Sequence, residues 1–163
     1  LLEGDFTLRS GRKSKYYLDK YLFETQPDLL RELARRFAKF VTPEVDRIAG
    51  AELGAIALAA ATALETGKPF VIVRNAKKAG YGTGKLIEGR LERGERVLLV
   101  EDIATSGGQA IEACQTLRDA GATVTAVVVT IDRQEGGRQA IEAAGLRFEA
   151  LFTTADLGIV KNE

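Results

Sequence analysis

Two segments bring together residues whose types and spacing suit a phosphorylated sugar. The first reads Val97-Leu98-Leu99-Val100-Glu101-Asp102-Ile103-Ala104-Thr105-Ser106-Gly107-Gly108-Gln109. Four apolar residues suit a buried strand. Two adjacent carboxylates follow, and then two hydroxyls and two glycines open a helical pattern. A helix start offers unpaired N–H groups and the positive end of a dipole to an anion. Carboxylates accept hydrogen bonds from vicinal ribose hydroxyls. Acids and anion site together describe a ribose 5-phosphate. The second segment reads Arg74-Asn75-Ala76-Lys77-Lys78-Ala79-Gly80-Tyr81-Gly82-Thr83-Gly84-Lys85. It is not a Walker A loop: Gly80 to Gly84 is one residue too short, and Leu86 stands where Ser or Thr is needed. A dinucleotide fingerprint from Gly82 fails at Ile87. Physically it reads as a cationic flap. Arg74, Lys77 and Lys78 would neutralise charge on a departing diphosphate, and the flap would exclude water while a cationic ribose centre forms.

Two further segments suit ligands. Asp132-Arg133-Gln134-Glu135 follows a long Val-rich run, and an Arg at a strand's carboxyl end can form a two-pronged pair with a carboxylate. Ala49-Gly50-Ala51-Glu52-Leu53-Gly54 is a Gly-bounded loop before a helix, again suited to an anion, although Glu52 beside a diphosphate has no ready explanation. Composition removes other chemistries. With no His and one Cys, Cys/His zinc sites and His-based triads are excluded. Lys plus Arg and Asp plus Glu are 23 each, so no basic footprint points to nucleic acid. No apolar run is long enough to span a membrane. Cys114 cannot form an internal disulfide, which fits a reducing compartment, and a cytoplasmic location is expected. The chain opens at Leu1 rather than Met, which leaves open whether residues precede it.

The elements that must position these residues alternate. Thr25-Gln26-Pro27-Asp28 reads as a capping box, followed by apolar residues at helical spacing from Leu29 to Phe40. Strands are predicted over 47–49, Phe70–Val73, 96–100, 123–131 and 148–152, and helices over Ala55–Thr66, 107–120 and 137–144. Several strands are apolar on both faces. The fold class is therefore α/β, a parallel sheet with helices on both sides and ligands at the strands' carboxyl ends. Residues 1–24 carry aromatics and cations in a hairpin-like or irregular arrangement. They are read as a hood over one sheet edge, with residues 25–163 as the core of a single domain.

Residues 97–109 resemble the 5-phosphoribosyl 1-diphosphate (PRPP) signature of the type I phosphoribosyltransferases, with Gln109 where Ser or Thr is usual. Residues 74–85 resemble the catalytic loop of the orotate phosphoribosyltransferases, Arg-Lys-x-x-Lys-x-His-Gly. Arg74 matches the Arg, Asn75 stands at the first Lys, Lys78 matches the second, and Tyr81 is the nearest counterpart of the His. A one-residue insertion leaves Lys77 and Lys78 both candidates for the catalytic lysine. Phe6-Thr7-Leu8-Arg9-Ser10-Gly11 and the following Ser14, Tyr16, Tyr17 and Leu18 resemble that family's Phe-Thr-Leu segment, and 132–135 its Asp-Arg-Gln-Glu.

The resemblance implies the type I phosphoribosyltransferase fold with a small N-terminal hood. It also implies transfer of phosphoribose from PRPP to orotate, giving orotidine 5′-monophosphate and diphosphate. Catalysis would fall to Lys78 or Lys77 and Arg74. PRPP contacts would come from Arg9, Glu52, Leu53, Arg74, Asn75, Lys78 and Tyr81, and from Glu101, Asp102, Ile103, Ala104, Thr105, Ser106, Gly107, Gly108 and Gln109. Orotate would meet Tyr17, Leu18, Thr105 and Arg133. Mg²⁺ would be held mainly by PRPP, with Asp102 reaching it through water, and the loop would cross to the neighbouring subunit of a homodimer. The alternatives are a transferase of the same fold for another base, such as a purine, and a non-catalytic PRPP-sensing regulator.

Overall fold

The computed structural model describes residues 2–7, 13–17, 19–75 and 85–159. Its centre is a six-stranded sheet in the order β5-β4-β3-β6-β7-β8. The strands are β3 (Arg47–Ala51), β4 (Phe70–Val73), β5 (Ile87–Glu88), β6 (Arg96–Ala104), β7 (Thr123–Asp132) and β8 (Phe148–Thr153). All neighbours are parallel except β5, which runs antiparallel to β4. Two preceding strands, β1 (Leu2–Thr7) and β2 (Lys13–Tyr17), form a separate antiparallel hairpin.

Period-2 alternation divides the sheet residues between two cores. Ile48, Leu98, Val100, Ala126 and Val128 pack against Leu33 and Phe37 of α2 (Pro27–Ala38) and Leu58 and Ala59 of α3 (Ala55–Thr66). Ala49, Val97, Leu99, Val127 and Val129 pack against Ala113, Cys114 and Leu117 of α4 (Gly108–Asp119) and Ile141 of α5 (Gly137–Ala143). Helices thus cover both faces, as the double-sided apolar strands require.

Two local expectations change. The helix after Thr25 starts with Pro27 in its first turn but has no side-chain cap; Thr25 Oγ1 instead donates back to Tyr21 O. That carbonyl belongs to α1 (Lys20–Glu24), a short helix capped by Asp19, whose carboxylate accepts from Tyr21 N at 3.1 Å. Thr25 closes one helix rather than opening the next. The central strand β6 continues four residues past Val100, because β7 keeps pairing as far as Ala104↔Asp132. On its other edge the pairing with β3 stops at Gly50↔Val100.

That mismatch opens a crevice. From β3 the chain proceeds outward to β4, and from β6 it proceeds the other way to β7. The β3/β6 boundary is therefore a topological switch point, where open α/β sheets bind ligands beyond the strand ends. Residues Glu101 to Ala104 line its unpaired edge.

Candidate active site

Glu101 and Asp102 lie within the extended strand, each 4% exposed. Glu101 Oε1 accepts from Asp102 N at 3.1 Å, while Oε2 is buried with no hydrogen-bond partner among the described residues. Burial first, and then the Asp102 charge, raise the Glu101 pKa well above the carboxylate range. Asp102 is held on both oxygens. Oδ1 accepts from Ile103 N, and Oδ2 accepts from Lys20 Nζ, reaching over from α1. Burial works against the Lys20 ammonium, but the charge and hydrogen bond of Asp102 outweigh it and the Lys20 pKa is raised.

One turn along α1, Glu24 is 3% exposed and its Oε1 has no hydrogen-bond partner among the described residues. Burial, reinforced by Asp102, pushes its pKa from 4.5 to about 8. Between those values the folded state keeps a proton that the unfolded chain has released. The Glu24 contribution to stability should therefore be full below about pH 4.5 and be lost as pH rises through about 8. Denaturant unfolding across that window should show a flatter decline for Glu24→Gln than for wild type; equal slopes would remove Glu24 from this role.

Glu101 borders a cavity of about 320 Å³ lined also by Asn75, Thr105, Ser106, Gly108 and Gln109, among others. The turn is built by close approach. Gly107 has φ +80°, and a Cβ there would lie 2.9 Å from Gly137 O and 3.0 Å from Ile141. Only glycine lets α5 pack under the turn while α4 starts with its first N–H groups at the cavity.

Glu52 now has an explanation. Its Oε1 accepts from Asn75 N at 2.7 Å, so the carboxylate anchors the root of the 74–85 segment. Its carbonyl accepts from Gln109 Nε2 at 3.1 Å. The glutamine that stands in place of Ser or Thr therefore ties the loop before α3 to the start of α4. The Glu52–Leu53 peptide is cis, and Leu53 is exposed. At the same root, Arg74 N donates to Leu86 O at 2.7 Å, and Arg74 Nη1 lies 3.3 Å from Glu88.

On the other side of β6, Arg133 N donates to Ala104 O at 3.0 Å, which joins the 132–135 turn to the ribose-phosphate turn. Asp132 Oδ1 accepts from Gln134 N at 2.8 Å, and Gln134 has φ +56°. Gln134 Oε1 accepts from Thr154 Oγ1 at 3.1 Å, fastening the turn to the end of β8. Arg133 is 8% exposed, with Nε 3.0 Å from Glu135 Oε1. Thus Asp132 and Gln134 shape the turn, and Glu135 braces the buried guanidinium.

Of the residues expected from sequence, Asn75, Glu101 and Ile103 to Gln109 line the cavity, Glu52 and Arg74 adjoin it beside Asn75 and Gln109, Asp102 is bonded to Lys20, Leu53 is exposed, and Arg133 joins the ribose-phosphate turn through its backbone N–H. Arg9, Leu18, Lys77, Lys78 and Tyr81 lie outside the described residues, and of Tyr17 only the backbone in β2 is described. Sequence reading missed Lys20 and Glu24.

A switch-point crevice edged by two strand acids and a glycine-rich helix start is the architecture of a phosphoribosyl transferase domain, and the family model of that description matches residues 23–143. The chain is 49% identical over 154 residues to the orotate phosphoribosyltransferase of Methanocella arvoryzae, covering 94% of this chain and 87% of that one. The crystal structure of the Aeropyrum pernix orotate phosphoribosyltransferase superposes with a TM-score of 0.84 at 30% identity, covering 98% and 93% of the two chains. The Mycobacterium tuberculosis enzyme in complex with PRPP gives a TM-score of 0.79 at 34% identity, covering 94% and 89%. The chain belongs to the orotate phosphoribosyltransferase family, and it is a transferase.

Proposed function

We propose that this chain transfers the 5-phosphoribosyl group of PRPP to orotate, giving orotidine 5′-monophosphate and diphosphate, a step of pyrimidine biosynthesis. The observation that carries this reading is the bond from Arg133 N to Ala104 O. It sets a buried, carboxylate-pairing arginine directly beside the ribose-phosphate turn. Orotate bears a carboxylate; adenine, guanine and uracil do not.

The N–H groups and hydroxyls of Thr105 to Gln109 take the 5-phosphate. Glu101 and Asp102 take the ribose hydroxyls and steady the positive charge that develops at C1. The backbone of the loop at Glu52 and Leu53, with Arg74, Asn75, Tyr81, Arg9 and Lys78 or Lys77, receives the diphosphate and stabilises its departure. Tyr17, Leu18 and Thr105 seat the pyrimidine ring, and Arg133 binds its carboxylate. The C1–diphosphate bond breaks as the bond from the ring nitrogen to C1 forms, the nitrogen's proton is released to the departing diphosphate or to solvent, and no covalent enzyme intermediate is needed. The protein's contribution is alignment and charge stabilisation.

Among the described residues no cluster of His, Cys, Asp and Glu could by itself hold a metal ion. This donor set suits a Mg²⁺ carried by the diphosphate and ribose hydroxyls, with Asp102 reaching it through water. Bound there, Mg²⁺ would offset charge on the leaving diphosphate. Among the described residues no helix is long and apolar enough to cross a membrane, in keeping with work in the cytoplasm. Leu64 of α3, 88% exposed, lies with Ala60, Ala63 and Phe70 on an apolar face that a second copy of the chain would cover, which supports a homodimer.

Diphosphate release measured with PRPP, Mg²⁺ and each of orotate, uracil, adenine and guanine tests the proposal. Release is expected with orotate alone. Release with a purine instead would reassign the acceptor.

A further inference from the structure

Three segments meet at the Lys20 ammonium. Helix α1 carries it, Asp102 at the end of β6 accepts from it, and a Cβ built on Gly54, in the loop before α3, would lie 2.8 Å from it. Nζ therefore sits between the ribose acids and the loop at the diphosphate position. That loop brings no cation of its own. Its side chains are Glu52, whose carboxylate is committed to Asn75 N, and the apolar, outward Leu53. The charged acids here are Asp102 and, at the head of α1, Asp19, since burial keeps Glu24 and Glu101 protonated well above the carboxylate range. A diphosphate on this loop would draw its counter-charge wholly from other segments, and on this side of the crevice it would meet the Asp102 carboxylate.

An ammonium has three donors and no acceptor. Asp102 takes one, and the Lys20 side chain keeps 29% of its surface exposed. We propose that Lys20 binds the diphosphate of the donor, supplying from α1 the positive charge that the 52–54 loop lacks, while its bond to Asp102 aims it there. The inference rests on the reading of the crevice as a PRPP site and adds a residue to it.

Calorimetric binding to the full chain in Mg²⁺ separates the possibilities, with PRPP, inorganic diphosphate and ribose 5-phosphate as probes. Lys20→Met is expected to weaken PRPP and diphosphate about 10–100-fold, the loss of a charge-assisted hydrogen bond. Ribose 5-phosphate has no diphosphate, and its affinity should change less than about threefold. Lys20→Arg should retain most of the diphosphate affinity. Arg90→Met, removing an exposed cation paired with Glu92, should alter neither probe. Equal losses for ribose 5-phosphate and diphosphate would mean that Lys20 acts only through Asp102, and would overturn the proposal. So would unchanged diphosphate binding, or the same loss in Arg90→Met. If Lys20→Met loses its melting transition, Lys20→Gln and Lys20→Arg carry the same comparison. Wild type that binds none of the three probes would instead reject the site reading beneath it.

Discussion

Arg133→Ala is expected to lower kcat/KM for orotate by about 10²–10³-fold while PRPP affinity stays within about threefold. The size of the effect follows from burial. Arg133 is 8% exposed, so a carboxylate reaching it is desolvated, and truncation leaves that carboxylate without its partner. The selectivity follows from position. Arg133 meets the ribose-phosphate turn through its backbone N–H, which alanine keeps. Arg133→Lys should recover little, because an ammonium cannot supply the planar two-pronged pair. Glu135 complicates the result: it loses its partner in either variant, so melting curves must accompany the kinetics. Steady-state kinetics in orotate, with calorimetric PRPP binding, decide the matter. A parallel loss of PRPP affinity would make Arg133 a structural support, and unchanged orotate kinetics would remove it from the acceptor site.

The second large effect belongs to a residue that makes no side-chain contact. Gly54→Ala should cut kcat/KM by about 10²-fold or more, with much less effect on melting temperature. Gly54 has φ −62° and ψ −40°, a conformation alanine adopts readily, and it adjoins the first turn of α3, where alanine is a better helix former. The backbone therefore gives no reason for glycine; the approach of Asp102 does. A Cβ would fall 1.6 Å from Asp102 Oδ2, so the carboxylate and the Lys20 held on it must both move. Displacing a ribose ligand by an ångström is enough for a loss of this size. Activity within about threefold of wild type would show that the Asp102–Lys20 arrangement is not required for turnover.

What sequence reading could and could not see divides along physical lines. Strands β3, β4, β7 and β8 and helices α3, α4 and α5 were legible because burial on both sheet faces writes apolar runs, and glycines such as Gly67 and Gly121 mark helix ends. The ribose-phosphate turn was legible because its chemistry is contiguous in the chain. The length of β6 was not, since Glu101 and Asp102 look like a strand's end and only pairing with β7 keeps them inside it. The two-residue strand β5 has too little pattern to stand out, and exists because it closes the root of the 74–85 segment against β4. The capping box failed because Thr25 had a competing acceptor in the helix before it. Glu52 looked misplaced only while its partner, Asn75 N, was unknown. Lys20 was invisible for the opposite reason: its partner Asp102 lies 82 residues away, and nothing around Lys20 in the chain distinguishes it from a surface lysine.

The central claim is that the crevice between β3 and β6 brings a phosphoribosyl donor and a carboxylated pyrimidine together. Orotate-dependent release of diphosphate from PRPP, with Mg²⁺ and both substrates saturating, tests it most directly. The expected result is one diphosphate released for each orotidine 5′-monophosphate formed, and none without orotate. No release under these conditions, with PRPP shown to be bound, would contradict it.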